Sequence, residues 1–246
     1  MMANGDSEFV KARGLFVTGT DTEVGKTVIA GGIARVLKDK GQRVGVFKPV
    51  ASGCRSDRGG LVSPDAEFLA HCADSAQTLD QICPVRFREP LAPEVAVQRG
   101  AEPIELEIIR TYYNRLAAGK EVMIVEGIGG LLVPLSQELL VADLAGQMDL
   151  PLLIVAKPGL GTINHTLLSI EAARARGLRV AGIVINSYVA DTASVAEETN
   201  PAAIERASGV KVLAIVPRDL QTNVARGTIG PGVLFALQQI DYEAIL

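Results

Sequence analysis

The stretch "GTDTEVGKT", residues 19–27, carries the residue types of a phosphate-binding loop. A glycine-rich turn between a strand and a helix points successive backbone N–H groups at an anion, and the positive end of the helix adds to that field. In such a loop Lys26 reaches the β- and γ-phosphates of a nucleotide, and the Thr27 hydroxyl binds Mg²⁺. The usual pattern has four residues between its two glycines, whereas five separate Gly19 from Gly25. Gly25, Lys26 and Thr27 keep their register to the helix start, so the extra residue falls in the rim, residues 20–23. That rim also holds two acids, Asp21 and Glu23. They would repel a triphosphate unless they point away or toward a cation. A solvated loop edge explains them equally well.

Further groups of this chemistry stand behind other apolar runs. "VFKPVASG" places Lys48 at a strand end, where a second ammonium could stabilise charge on a transferring phosphoryl group. Ser52 and Gly53 could offer a hydroxyl and an amide to a substrate, although Ser-Gly is also ordinary turn chemistry. "VMIVEGIGG" puts Glu126 at a strand end, followed by Gly127, Ile128, Gly129 and Gly130. An acid there suits Mg²⁺, directly or through water, and the glycines allow a ligand close to the backbone. In "SPDAEF", Asp65 could bind a metal, but helix capping is a sufficient structural reason for it. Asn186, in "AGIVINS", has an amide that suits an adenine edge. Pro217, Arg218 and Asp219 could wall the base. "GLGTINH" precedes a helix at Thr162 whose free N–H groups could hold a carboxylate. His165 there reads as a helix-surface or core residue rather than a base.

These groups need a scaffold that gathers strand ends. Six apolar runs have strand length: residues 15–18, 44–47, 122–125, 152–156, 180–185 and 212–216. Their hydrophobicity is nearly continuous, which marks strands buried on both faces. Helix-length patterns at 27–40, 105–118 and 162–176 are closed by Gly41, Gly119 and Gly177. Strand, helix, glycine, strand is the punctuation of right-handed crossovers. The expected fold is therefore α/β of the P-loop type, a mostly parallel sheet with helices on both faces. Ligands of such sheets lie at the carboxyl ends of the strands. Residues 51–100 are less regular, with one helix expected near 65–72, and read as an insertion over those ends. The first 13 residues read as a disordered leader, and residues 14–246 as a single domain.

Composition narrows the function classes. The 246 residues are 48% apolar, ample for a core covered on both sides. Net charge is −4 without a long basic run, which argues against a nucleic-acid partner. No apolar run approaches the ~20 residues that span a bilayer, so no membrane role is expected. Cys54, Cys72 and Cys83 are odd in number and lack metal-ligand spacing, as in a reduced cytoplasmic protein.

Taken in order, "VTGTDTEVGKT", "KPVASG", "SPDA", "VEGIGGLLVPL", "GLGTINH" and "NS" after an apolar strand resemble the dethiobiotin synthase family. The likeness runs over roughly residues 15–219. It implies a homodimeric P-loop enzyme that makes a cyclic urea from 7,8-diaminononanoate, CO₂ or bicarbonate, and ATP with Mg²⁺. By that resemblance Lys26 and Lys48 flank the phosphoryl group, with Thr22 completing the catalytic set. Thr27, Asp65 and Glu126 match the metal site, and Thr22, Lys48 and Ser52 match the substrate side. Glu23, Val24, Gly25, Val28, Gly127, Ile128, Gly129, Asn186 and Ser187 join Pro217, Arg218 and Asp219 on the nucleotide side. Gly161, Thr162 and Asn164 match a helix start that holds the substrate carboxylate across the dimer interface. Ile128 departs from the family, where a small residue is common. Two other P-loop classes are the alternatives. Synthetases that amidate cobyrinate carboxylates are longer and carry a glutaminase domain. Partner-positioning P-loop ATPases carry a lysine early in the loop, where Asp21 stands here.

Overall fold

The computed structural model describes residues 8–57 and 60–246. Six strands form its central sheet: β1 (Gly14–Gly19), β2 (Val44–Phe47), β3 (Val122–Glu126), β4 (Leu152–Ala156), β5 (Val180–Tyr188) and β6 (Val212–Pro217). Every adjacent pair is parallel, in the order β6-β5-β4-β1-β3-β2. The six apolar runs are these six strands, with ends extended by up to three residues. The helices that carry the argument are α1 (Lys26–Asp39), α2 (Pro64–Ala73), α3 (Leu106–Ala117), α4 (Val141–Met148), α5 (Thr162–Arg174), α6 (Val195–Ser208) and α7 (Pro231–Gln238).

Successive side chains of a strand point to opposite faces, so a covered sheet must satisfy both. On β4, Ile154 and Ala156 join Ile183 and Ile185 of β5, Ile170 of α5 and Ile204 of α6 in one cluster. Their neighbours Leu153, Val155 and Val184 belong to the larger cluster with Ile33 and Leu37 of α1 and Val233 and Leu237 of α7. The continuous hydrophobicity of the strands thus has its cause in two separate apolar layers.

Topology decides where a ligand fits. From β1 the chain crosses by α1 to β2 at one edge. From β3, which lies beside β1, it crosses to β4 on the other side of β1. The carboxyl ends of these two neighbours therefore send their connections apart and leave a crevice, as open α/β sheets do at a switch point.

The leader expectation is corrected for residues 8–13, and residues 1–7 lie outside the described part. Phe9 is buried and meets Tyr113 edge-to-face at 5.5 Å. The Val10 amide donates to Asn114 Oδ1 at 2.8 Å, and Asn114 Nδ2 donates to the Glu8 carbonyl at 3.0 Å. One aromatic with a slot on α3 anchors a segment whose composition is otherwise that of a tail.

Candidate active site

The loop between β1 and α1 leaves the sheet at Gly19 and re-enters helix at Lys26. Its rim is held by its own polar groups. The Asp21 carboxylate accepts from the Thr22 amide at 2.7 Å and from the Thr22 hydroxyl at 3.4 Å. The Asp21 carbonyl accepts from Lys26 Nζ at 3.0 Å. One of the two unexplained acids therefore organises the added residue of the loop. Glu23 sits at φ 55°, left-handed backbone that a non-glycine residue adopts only where its surroundings enforce it.

Lys48, the first residue after β2, is almost fully buried, as is Glu126 at the end of β3. Lys48 Nζ lies 2.7 Å from Glu126 Oε1 and 2.8 Å from Asp65 Oδ2, and donates to the Gly127 carbonyl at 3.1 Å. The Thr27 hydroxyl donates to the same Glu126 oxygen at 2.8 Å. Glu126 Oε2 is buried without a hydrogen-bond partner among the described residues. Two strand ends and two helix starts thus converge on a largely buried knot of an ammonium, two carboxylates and a hydroxyl.

Asp65 reaches this knot because another residue caps its helix. The Ser63 hydroxyl accepts from the Ala66 amide at 3.2 Å, with Pro64 at the first helical position. Capping accounts for Ser63 and leaves the Asp65 carboxylate for Lys48.

Electrostatics follow the burial. Burial pulls the Lys48 ammonium down, but Glu126 and Asp65 outweigh it and hold the group above its ordinary value. Burial raises Asp65, yet the attraction and hydrogen bond of Lys48 keep it below the usual carboxylate range. For Glu126 burial dominates over Lys48 and holds the carboxyl above its ordinary value. Burial likewise lowers Lys26, against the pull of Glu126. Lys48 stays charged, and the buried Glu126 is the group that gains most from a nearby cation.

These residues open into a cleft of about 410 Å³. Thr22, Glu23, Gly25, Lys26, Thr27, Val28, Lys48, Ser52, Asp65, Glu126, Ile128 and Gly129 line it. Ala51 and Val224 line it as well and were not foreseen. Ala51 lies inside "KPVASG"; Val224 stands in no motif, so no local signal could have found it. A second cleft of about 410 Å³ shares Thr22 and Gly129 with the first. Its walls are Leu131, Leu132, Val133, Leu168 and Ala172, with Thr20, Asp21, His165 and Ser169 as polar groups. His165 therefore faces a cleft. Gly161, Thr162 and Asn164 line neither cleft of their own chain.

Residues 13–226 match the family model described as an AAA domain. The ATP-dependent dethiobiotin synthetase BioD of Bacillus subtilis (strain 168) is 42% identical over 217 residues, covering 88% of this chain and 91% of its own length. The protein of that name from Bacillus cereus (strain G9842) is 43% identical over 204 residues, 83% of each chain. This chain belongs to the ATP-dependent dethiobiotin synthetase family. As a member it is an ATP-dependent P-loop ligase of biotin biosynthesis. Solved structures share the fold. The septum site-determining protein MinD complexed with Mg-ADP, from Pyrococcus horikoshii OT3, aligns with TM-score 0.59 over 93% of each chain at 16% identity. A ParA family ATPase from Chlorobium tepidum TLS aligns with TM-score 0.56 at 14% identity, over 92% of this chain and 97% of its own. At such identities the likeness speaks for the fold alone.

The remaining site residues of this dethiobiotin synthetase family member are less directly placed. Asn186, at 5% exposure, donates through Nδ2 to the Val24 carbonyl at 3.0 Å and so ties the end of β5 to the loop. Ser187 beside it takes φ 64°. The Arg218 amide donates to the Tyr188 carbonyl at 2.8 Å. Pro217, Arg218 and Asp219 do not line the first cleft. Both Asp219 oxygens accept backbone amides, of Gln221 and Gly232, at 2.9 Å. Among the described residues no helix is long and apolar enough to cross a membrane.

Gly25 is where the loop tolerates least. It has φ 91°, and a Cβ there would lie 2.0 Å from Asn186 Nδ2. Gly25→Ala is expected to strain the backbone by about 1–3 kcal/mol and displace Asn186 from Val24. ATP affinity then falls about tenfold or more, read by titration calorimetry, and the thermal midpoint drops. An unchanged dissociation constant would separate Gly25 from nucleotide binding.

Proposed function

We propose that this chain closes a cyclic urea on 7,8-diaminononanoate, using CO₂ and ATP, and releases dethiobiotin, ADP and phosphate. One amine adds to CO₂ and loses a proton, giving a carbamate. A carbamate oxygen attacks the γ-phosphorus, the bond to the ADP oxygen breaks, and a carbamic-phosphoric anhydride forms. The second amine attacks the carbonyl carbon and loses a proton, the ring C–N bond forms, and phosphate departs with the electrons of the broken C–O bond.

The observation that carries this reading is the join of the two clefts at Thr22 and Gly129. On one side lie the two lysines that a phosphoryl group needs; on the other lies an apolar cleft suited to an alkyl chain. Lys26 and Lys48 stabilise charge spreading over the transferring group, and the hydrogen-bonded loop aligns its reactants. No protein nucleophile is required. Asp21, by holding Thr22, fixes the point where carbamate and phosphate meet.

The donor set fits Mg²⁺. Asp65, Glu126 and the Thr27 hydroxyl are hard oxygen donors gathered in one place, and Glu126 Oε2 lacks a hydrogen-bond partner among the described residues. When bound, the ion neutralises negative charge on the β- and γ-phosphate oxygens. The reading includes a homodimer, supported by Leu132, Leu160 and Leu168, which are 53%, 95% and 60% exposed around the second cleft and the start of α5. A second copy covering them would let Gly161, Thr162 and Asn164 serve the partner's substrate carboxylate. A cytoplasmic location accords with three free, buried cysteines.

Phosphate release is expected only when Mg-ATP, the diamine and bicarbonate are all present, with the cyclic urea identified by mass spectrometry. Steady ATP hydrolysis without the diamine, and no urea product, would overturn the proposal.

A further inference from the structure

The segment between β6 and α7 folds into a strap. The Asn223 amide donates to the Thr228 carbonyl at 2.9 Å, and the Thr228 amide returns to the Asn223 carbonyl at 3.1 Å. The Thr228 hydroxyl donates to the Gln221 carbonyl at 3.0 Å, and Thr222 Oγ1 accepts from the Gly230 amide at 2.8 Å. The 3₁₀ turn Val224–Arg226, capped by Asn223 Oδ1, forms the tip and packs on α2, the helix that carries Asp65. Opposite Gly227 lies the His71 ring of α2, 3.0 Å from where a Cβ would stand. From this tip Val224 reaches the wall of the nucleotide cleft.

Asp219 fastens the base of the strap. Its Oδ1 holds the Gln221 amide at the strap's start, and its Oδ2 holds the Gly232 amide in the first turn of α7, each at 2.9 Å. The fit is close: a Cβ on Gly230 would lie 2.1–2.3 Å from the Asp219 carboxylate atoms. One side chain therefore clamps both ends of the segment that presents Val224.

We propose that Asp219 is a positioning residue for nucleotide binding, acting through Val224: it holds the strap closed so that Val224 forms the cleft wall against the nucleoside part of ATP. The proposal rests on the reading of this cleft as the ATP site. An open strap is not competent to bind, so the apparent dissociation constant rises as the closed fraction falls. Two charge-assisted bonds to backbone amides hold the closed form, enough for a large shift when both are lost.

The test uses the full chain and Mg-ATP in titration calorimetry. Asp219→Ala is expected to weaken Mg-ATP about tenfold, and Asp219→Asn, which keeps one acceptor oxygen, less. Val224→Ala is expected to weaken it too, and the double variant no more than Asp219→Ala alone, because both act at one wall. Hydrogen exchange in Asp219→Ala is expected to quicken at amides 221–230 while the β1 and β3 amides keep their protection. In turnover the KM for ATP rises whereas that for the diamine holds. Additive effects of the two substitutions, or an Asp219→Ala affinity equal to that of the unaltered chain, would overturn the latch. Failure of the unaltered chain to bind Mg-ATP would instead overturn the reading of the cleft.

Discussion

Lys48→Ala is expected to lower turnover by roughly 10²- to 10³-fold while Mg-ATP still binds. That is the range found when one preorganised donor to developing charge is removed. Lys48 is the strongest candidate for that role because nothing else explains so costly an arrangement. Its ammonium is buried beside two carboxylates at 2.7 and 2.8 Å, and burial alone would favour the neutral form. An amine held charged, dry and fixed needs no reorganisation as charge moves onto a phosphoryl group. Affinity for ATP changes less, since the loop amides, Lys26 and the α1 terminus remain. The substitution also leaves Glu126 and Asp65 without their cation, and removing one partner of a buried pair costs about 3–5 kcal/mol. Thermal unfolding therefore has to be recorded, and turnover measured well below the midpoint of the variant. Turnover near that of the unaltered chain in folded Lys48→Ala would remove Lys48 from catalysis.

Glu126→Gln is expected to act on the metal rather than the fold. The change keeps volume and one acceptor for Thr27 and Lys48, but removes the charge that burial already disfavours. Lys48 retains Asp65, so the thermal midpoint should move by only a few degrees. A site that loses one of two carboxylates binds a hard divalent ion less well. The Mg²⁺ concentration for half-maximal turnover should rise more than tenfold, and turnover at saturating Mg²⁺ should fall about 10²-fold. A titration identical to that of the unaltered chain would place the metal elsewhere.

Much of this was legible in the sequence because it is local. Six strands announce themselves by continuous Val, Ile and Leu runs, since each must face apolar layers on both sides. The loop is legible because glycine spacing, lysine and hydroxyl act within one turn. Lys48 and Glu126 follow from one rule, that ligands lie beyond the carboxyl ends of strands. Asp65 was only half legible. Its position at a helix start admits capping, and only the structure shows Ser63 capping the helix and Asp65 meeting Lys48. For Asp21 the sequence posed a question, and the hydrogen bonds to Thr22 supply an answer.

What the sequence determined alone is the chemistry available: a phosphate loop, a second lysine, acids at strand ends and a sheet to collect them. What the tertiary structure decided is which distant groups share a space. Phe9 docks on Tyr113 although its neighbours read as a tail. Val224 lines the cleft of Lys26 and Lys48 while Asp219, with the more suggestive chemistry, turns both oxygens to backbone amides. The join of two clefts at Thr22 and Gly129 is likewise absent from any motif. The physical reason is one of range. Backbone preference and hydrophobic period act over a few residues, whereas a cleft wall is set by the packing of segments that meet only after the chain has folded.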